Sequence, residues 1–163
     1  ALAQHDASAA ARDKQPCDLA DLARETAALI QPAADAKQLK LHLDLAPAVC
    51  VAHADGIAQI MLNLLTNAIE HTPAGGSITL KTSADNDCAT LSVTDTGEGI
   101  AAEHLPHLFD RFYRADPSRS RSTGGAGLGL AISKAIADAN HALLEVESVL
   151  GEGSTFTLCI STE

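Results

Sequence analysis

The segment from Asp55 to Pro73 carries the strongest periodic pattern in the chain and constrains its fold more than any other stretch. Its apolar residues recur at the spacing of an amphipathic α-helix with one buried face. They are Ile57, Ile60, Met61, Leu64, Leu65, Ala68 and Ile69. Pro73 and the pair Gly75–Gly76 end the pattern. The sequence therefore predicts a helix that packs against another layer.

Asn63, Asn67 and His71 are four residues apart, so they line a separate polar face of this helix. Asparagine is a poor helix former, because its short amide competes for nearby backbone groups. A solvated face would explain one such residue, but two in register favour a binding role. An amide oxygen is a neutral, hard ligand that suits Mg²⁺, an ion that commonly shares phosphate oxygens.

Helical and strand patterns mix along the rest of the chain. Asp18 is placed to cap a helix over residues 19–30, and a second helix is expected over residues 128–139. Alternating strand patterns cover residues 39–45, 49–51, 77–82, 89–95, 143–149 and 154–160. Hairpins rather than strict βαβ units connect several of them, which predicts an α+β fold with helices on one face of a sheet.

Composition limits the classes of function. Apolar residues make up 46% of the 163 residues, which is enough for one core. The net charge of −10 argues against non-specific nucleic-acid binding, which needs a basic surface. We find no signal peptide and no apolar run that would span a bilayer. The chain begins at Ala1 without Met, so we expect a piece of a larger protein, with residues 1–16 as a linker or a helical remnant.

The cysteines and histidines give little indication of chemistry. The four cysteines are scattered without a CxxC motif, which favours reduced thiols in a cytosolic protein over a zinc site or a redox pair. They are Cys17, Cys50, Cys88 and Cys159. No Ser-His-Asp or Cys-His spacing is evident, and apart from His71 the histidines are interpreted as surface or structural residues. These are His5, His42, His53, His104, His107 and His141.

The motif DTGEGI, residues 95–100, follows an alternating apolar strand over residues 89–93. Asp95 continues the inward face of that strand, where a carboxylate is costly unless it is hydrogen-bonded. The exocyclic amine of a purine is a suitable donor. Gly97 and Gly99 would let the backbone approach a flat ring closely. A turn that closes a hairpin is the alternative interpretation.

A second glycine-rich segment, GGAGLGL at residues 124–130, precedes a helix. Backbone amides at such a helix start form a ready anion site. The segment is neither a Walker A motif nor a dinucleotide-binding fingerprint. Arg114, Arg119 and Arg121 lie just upstream and are candidate phosphate partners in an otherwise acidic chain. A flexible loop with solvated charges is the competing interpretation.

Taken in this order, the motifs resemble those of the catalytic ATP-binding domain of bacterial sensor histidine kinases. The similarity runs from about Cys17 to Ile160. The matching segments are the N box (Gln59–Pro73), the G1 box (Asp95–Ile100), the F box (Leu108–Arg114), the G2 box (Gly124–Leu130) and a last glycine motif (Gly151–Phe156). The resemblance implies the Bergerat ATP fold, a two-layer sandwich in which a mixed sheet of about five strands is covered on one face by three helices. Residues 17–163 would then form this domain.

The resemblance also implies roles at the phosphate end of an ATP site. Asn67 would ligate Mg²⁺ and Asn63 would lie near the phosphates. Arg114 would orient the γ-phosphate, so Arg114 and Asn67 are the catalytic candidates. Residues 113–126 would form the ATP lid. The residues expected to close over the triphosphate are Gly125, Gly127, Leu128 and Gly129.

At the adenine end, the resemblance implies that Asp95 binds the adenine amine. Gly97, Gly99 and Ile100 would shape the wall of the site, and Thr155 would support it. His71 stands where the family often has Tyr and is expected to stack on the base. Glu70 stands where the family often has Lys, so that phosphate contact is missing.

No His-Glu-Leu-Arg-Thr-Pro-like motif is present, and His5 does not supply one. The family's phospho-accepting histidine would therefore lie in a separate dimerisation domain, with residues 1–12 as its possible tail. The expected partners are that domain and a response regulator, with no nucleic acid. The parent would be a homodimeric inner-membrane sensor kinase with this domain in the cytoplasm, and the isolated domain a monomer.

Other proteins share the fold, among them gyrase B subunits, mismatch-repair ATPases and heat-shock chaperones. These generally use a Glu in the N-box helix to activate water, whereas the corresponding position near the start of this helix carries Gln59. Anti-sigma-factor Ser/Thr kinases lack the F box and are the alternative among enzymes. A degenerate nucleotide-binding or docking module is the alternative from another class, and Glu70 favours it faintly.

Overall fold

The computed structural model describes residues 14–111, 113 and 129–162. Within these ranges the chain forms seven strands, three α-helices and one 3₁₀ helix. In chain order they are β1 (Gln15–Asp18), α1 (Leu19–Ala36), β2 (Lys40–Leu45), β3 (Val49–Ala52), α2 (Ala54–His71), β4 (Ser77–Ala84), β5 (Cys88–Asp95), the 3₁₀ helix (Ala102–His107), α3 (Gly129–Ala139), β6 (Leu143–Val149) and β7 (Gly153–Ser161). The helices and strands expected from the sequence are present, most of them within two residues of the expected bounds. The exception is α1, which was expected to end at Ile30 but continues through Pro32 to Ala36.

The main sheet contains five strands in the order β2-β4-β5-β7-β6. β2 and β4 are parallel, and every other neighbouring pair is antiparallel. One face carries the buried apolar residues, and α1, α2 and α3 form a second layer against it. The largest buried side chains contributed by the sheet are Ile78, Leu80, Leu91, Phe156, Leu158 and Ile160. The predicted α+β two-layer fold with a mixed five-stranded sheet is confirmed.

A short ribbon was not expected from the sequence. β1 pairs with β3 in antiparallel register, so residues 15 and 16 belong to a paired strand rather than to a free linker. Its partner residues are over thirty positions away, and Gln15 and Pro16 give no alternating pattern that would signal a strand. Asp18 ends the ribbon and caps α1 as predicted. Its Oδ1 accepts hydrogen bonds from Ala20 N at 3.0 Å and from Ala48 N at 2.8 Å.

Leu108 and Phe109 of the F box pack against the sheet just after the 3₁₀ helix. Leu108 is buried, and the ring of Phe109 meets Phe156 of β7 edge-on, with ring centroids 6.3 Å apart. Both residues join the main core, which fixes the chain just after the DTGEGI motif.

The expectation of four reduced cysteines is wrong for one pair. Cys88 of β5 and Cys159 of β7 form a disulfide bond across 71 residues of sequence. They lie on neighbouring antiparallel strands, so the pairing depends on the sheet and leaves no local spacing signal. Cys17 and Cys50 are free, with their Sγ atoms 3.8 Å apart across the β1–β3 ribbon. The pKa of Cys50 is raised to about 12, mainly by burial and to a lesser extent by the neighbouring Cys17. This thiol is therefore unreactive near neutral pH.

Candidate functional site

Helix α2 has the two faces that its sequence predicts. Leu64, Leu65 and Ala68 are fully buried against the core. Asn63 and Asn67 are half-buried on the polar face, and the side chain of His71 is 41% exposed. The three polar residues therefore face a region outside the core where a ligand can reach them.

Asn63 connects α2 to the start of α3. Its Nδ2 donates to Gly129 O and to Ser133 Oγ, both at 3.1 Å. Its Oδ1 accepts from Gln59 Nε2 at 2.8 Å. Asn63 and Gly129, both expected at the phosphate end of an ATP site, are thus in direct contact. Because its amide is already bonded at both ends, Asn63 acts here as a link between helices.

Asn67 differs from Asn63, because its side chain makes no hydrogen bond to any other residue in the described part of the chain. Its amide oxygen is therefore open to a ligand. Residues 14–111, 113 and 129–162 contain no group of three His, Cys, Asp or Glu side chains that could hold a metal by itself. A cation at Asn67 would need further ligands from a nucleotide's phosphates and from water, which is the coordination Mg²⁺ favours.

Asp95 lies at the end of β5 on the inner face of the sheet and is only 5% exposed. Its Oδ1 accepts from Gly97 N at 2.8 Å. Burial raises the pKa of the Asp95 carboxyl above its ordinary value of 3.8, although the N–H groups of Gly97 and Ser154 and the electrostatic interaction with the nearby His71 act in the opposite direction. The structure thus places a buried carboxylate where the sequence predicted one, with acceptor capacity left for a ligand's N–H group.

The glycines of DTGEGI let backbone segments approach each other closely. A Cβ at Gly97 would lie 2.4 Å from His71 O, and a Cβ at Gly99 would lie 2.2 Å from Val149 O. Gly99 also has a φ of +73°, which disfavours other residues. Ile100 follows, with its N–H donating to Ser148 Oγ at 2.8 Å. The close approach expected towards a flat ring is, in the structure, an approach towards α2 and the β6–β7 turn.

His71 connects the end of α2 to the same loop. Its Nδ1 lies 3.4 Å from Glu98 Oε1, and its carbonyl oxygen accepts from Glu98 N at 3.4 Å. Its Nε2 lies 4.0 Å from Glu70 Oε1. A ring in this position lies beside the Asp95 loop, and stacking on a base stays a prediction.

The placement of Thr155 departs from the expectation. In the β5–β7 register Thr155 is opposite Thr94, with the two Oγ1 atoms 3.1 Å apart on the face of the sheet that the helices do not cover. Ser154 instead is opposite Asp95, on the inner face, and is 7% exposed. Ser154 is therefore the residue of this strand that supports the Asp95 side of the site. The alternation of Phe156, Leu158 and Ile160 already carried that signal, because Ser154 continues the same face.

The remaining predicted site residues lie outside the described residues. They are Arg114, Gly125, Gly127 and Leu128, together with Arg119 and Arg121 of the same segment. Their roles stay predictions. The described site therefore consists of the polar face of α2, the DTGEGI loop and the start of β7.

Residues 52–163 match the family described as histidine kinase-, DNA gyrase B- and HSP90-like ATPases. This covers more than half of the chain and includes α2, the Asp95 loop and β7. The chain belongs to this family. It is a catalytic ATP-binding domain of the sensor histidine kinase type.

Relatives and solved structures agree with this assignment. The sensor histidine kinase RppB of Synechocystis sp. is 39% identical over 91% of this chain and 33% of its own length. The phosphate regulon sensor protein PhoR of Pseudomonas aeruginosa is 47% identical over 72% of this chain and 27% of its own length. The chain thus spans about a third or less of these two relatives. Full-length ShkA, solved in complex with AMPPNP, matches 92% of this chain and 32% of its own at 31% identity and a TM-score of 0.79. The catalytic domain of ThkA, at 24% identity, shares the fold with a TM-score of 0.80, over 91% of this chain and 95% of its own.

Proposed function

We propose that this domain binds Mg-ATP and supplies the γ-phosphate for autophosphorylation of a histidine in a dimerisation domain outside this chain. The observation that carries the proposal is the buried Asp95 carboxylate, held by Gly97 N beside the partly exposed polar face of α2. The N–H groups of Gly97 and Ser154 satisfy only part of this buried carboxylate, and a ligand that donates to its remaining lone pairs would offset the cost of burial. The exocyclic amine of adenine is such a donor.

One end of the proposed site would bind the base and the other would bind the cation and the phosphates. Asp95 would orient the base, with His71 stacking on it. Asn67 would bind the cation, whose charge would neutralise that of the phosphates when it is bound. Asn63 would keep the start of α3 against α2, so that the glycine-rich segment meets the phosphates. Arg114 would orient the γ-phosphate. Catalysis by these residues would consist of positioning and charge compensation.

The wider assembly belongs to the same proposal. The phosphoryl group would pass from the dimerisation-domain histidine to an aspartate of a response regulator. The parent would be a homodimeric sensor kinase of the inner membrane, with this domain on the cytoplasmic side. No helix among residues 14–111, 113 and 129–162 is long and apolar enough to cross a bilayer.

Calorimetric titration with a non-hydrolysable ATP analogue, with and without Mg²⁺, tests the binding step. We expect wild type to bind, Asp95→Ala to lose binding at all Mg²⁺ concentrations, and Asn67→Ala to lose only the increase in affinity that Mg²⁺ gives. Thr155→Ala is the matched control on the uncovered face of the sheet and should bind like wild type. If wild type binds no nucleotide at millimolar concentration, the degenerate-module alternative replaces the kinase proposal.

The transfer step needs a second experiment. The chain is mixed with a separately produced dimerisation domain from a related sensor kinase and labelled ATP, and acid-labile phosphohistidine is measured. Label on the histidine supports the kinase. Nucleotide binding without any transfer to such domains would favour a nucleotide sensor, and label on Ser or Thr of an added protein would favour the anti-sigma type.

A further inference from the structure

The Ser148 hydroxyl lies where three parts of the base end of the site meet. Ser148 is in β6, which is an edge strand of the main sheet, and its side chain is half-buried. Its Oγ lies 2.8 Å from each of Ile100 N, Gly153 O and Ser154 Oγ. Ile100 ends the DTGEGI loop, and Ser154 is opposite Asp95. A single side chain thus contacts both segments that border the buried carboxylate.

Valence fixes the direction of these hydrogen bonds. A hydroxyl has one proton and two acceptor lone pairs. The proton of Ser148 is donated to Gly153 O, so its two lone pairs accept from Ile100 N and from the hydroxyl of Ser154. All three bonding positions of Ser148 are then occupied. The proton of Ser154 consequently points towards Ser148 and away from Asp95, which leaves acceptor lone pairs on the Asp95 side.

Backbone contacts also join the β6–β7 turn to the DTGEGI loop. Gly151 N donates to Glu98 O at 2.7 Å, and Gly99 has no room for a Cβ against Val149 O. A Cβ at Gly153 would lie 2.1 Å from Asp95 O. The β6–β7 turn therefore holds the DTGEGI loop along its length, and Ser148 supplies the side-chain contact in that arrangement.

We propose that Ser148 is a positioning residue for nucleobase recognition: its hydroxyl holds the Ile100 end of the loop and orients Ser154 as an acceptor beside Asp95. Two acceptors side by side would favour a base that presents an amino group over one that presents an oxo group. The proposal rests on the proposed ATP-binding function and extends it to a residue that touches no nucleotide itself.

The test compares Ser148→Ala, Ser148→Cys and Ser148→Thr with wild type by calorimetric titration of the whole chain with a non-hydrolysable ATP analogue. Ala removes the hydroxyl, Cys replaces it with a weak donor and acceptor, and Thr keeps it. We expect affinity to fall about three- to tenfold in Ala, as one lost hydrogen bond would give, less in Cys, and to stay near wild type in Thr. Ser92→Ala, the same change on β5, faces away from the site and should leave the affinity unchanged.

Two further readouts separate positioning from general stability. Amide exchange at Ile100 should be faster in Ser148→Ala without nucleotide, and the preference for the adenine over the hypoxanthine nucleotide should decrease. Unchanged affinity in Ser148→Ala with a lowered melting temperature would show a purely structural role and overturn the proposal. Equal losses in Thr and Ala would also overturn it. A wild type that binds no nucleotide overturns the proposed function itself, whereas wild-type binding with an undiminished Ala variant overturns only the role of Ser148.

Discussion

Asp95 shows at the scale of one residue how a group proposed to bind a ligand can lower the stability of the fold. The carboxyl lies among buried residues of the sheet, and burial raises its pKa. Since the folded state holds the proton more tightly than the unfolded state does, stability falls as pH rises from the ordinary value of 3.8 through the raised pKa. Above that range the protein bears the full cost of the buried charge.

Asp95→Asn should remove this cost together with the proposed nucleotide binding. The amide keeps an oxygen that can accept from Gly97 N, but it carries no charge. We expect a higher free energy of unfolding than wild type at neutral pH, a flatter dependence on pH, and loss of ATP-analogue binding. Denaturant unfolding from mildly acidic to neutral pH, with calorimetry alongside, measures both effects.

Asp85 is a comparison carboxylate whose pKa is shifted in the opposite direction to that of Asp95. It is exposed in the β4–β5 turn, and hydrogen bonds from the N–H groups of Asp87 and Cys88 hold its pKa below the ordinary value. Its contribution to stability is present above that ordinary value and lost as pH falls through the lowered pKa. Asp85→Asn should therefore not raise stability at neutral pH and should leave nucleotide affinity unchanged. A rise equal to that of Asp95→Asn would contradict the burial argument.

Gly97 tests the close approach of the loop to α2. In Gly97→Ala the new Cβ would lie 2.4 Å from His71 O, so the backbone must move. We expect a loss of about 1–3 kcal/mol in the free energy of unfolding, as for other overpacked sites. Gly129→Ala is the comparison, because its Cβ, at the start of a helix, would meet no atom of the described residues within 4 Å. It should be neutral or stabilising by up to about 1 kcal/mol, and equal losses in both would contradict the prediction.

At the scale of the element, the last carbonyl groups of α2 accept hydrogen bonds from residues that follow or pack against the helix. The last four carbonyls of an α-helix have no partner within the helix and must find one elsewhere. In α2 each of the four has one. They are Ala68 O with Thr72 Oγ1 at 2.7 Å, Ile69 O with Lys37 Nζ at 2.6 Å, Glu70 O with Lys37 Nζ at 3.0 Å and His71 O with Glu98 N at 3.4 Å. The helix that carries Asn67 is thus fixed at the end nearest Asp95.

Lys37→Met keeps most of the apolar stem and removes the ammonium that bonds two of these carbonyls. Because a cation at a helix C-terminus also interacts favourably with the helix dipole, we expect a loss of about 1–2 kcal/mol in the free energy of unfolding. Chemical denaturation measures it. Lys81→Met, at an exposed position of β4, should change stability by less than about 0.5 kcal/mol. Similar effects of the two substitutions would mean that the carbonyl contacts contribute nothing.

At the scale of the whole molecule, the Cys88–Cys159 bond joins two central strands across most of the second half of the chain. Such a bond acts mainly by restricting the unfolded chain, and the effect grows with the length of the closed loop. A reducing cytoplasm would open it, so the proposed location of the domain predicts the dithiol form there. The fold should survive that change, because the buried core does not depend on either sulfur.

Reduction should nevertheless lower stability measurably in vitro. For a loop of 71 residues we expect up to about 4 kcal/mol between the oxidised and reduced forms. Denaturant unfolding with and without a thiol reductant measures the difference. Cys88→Ser should unfold identically in both buffers, whereas Cys17→Ser should keep the response to reductant. A wild type that does not respond would show that the bond is not formed.

Much of this architecture could be predicted from the sequence, because it depends on local spacing. The apolar period of α2, the alternation of the strands and the cap at Asp18 are properties of neighbouring residues. The position of Asp95 on the inner face of the sheet followed from the alternation of apolar and polar residues earlier in β5. The placements of Asn67 on the polar face and Asp95 on the inner face were predictable for the same reason.

The tertiary structure decided what depends on register and on contacts between distant segments. Strand pairing placed Ser154, and not Thr155, beside Asp95, joined Cys88 to Cys159, and brought β1 against β3. Packing between helices brought Asn63 against Gly129, and the packing of the DTGEGI loop against β6 brought Ile100 N to Ser148 Oγ. The sequence by itself determined the elements and their polar faces, since these follow from local periodicity. Which polar groups meet was decided only by folding, because a shift of one residue in a strand exchanges its two faces.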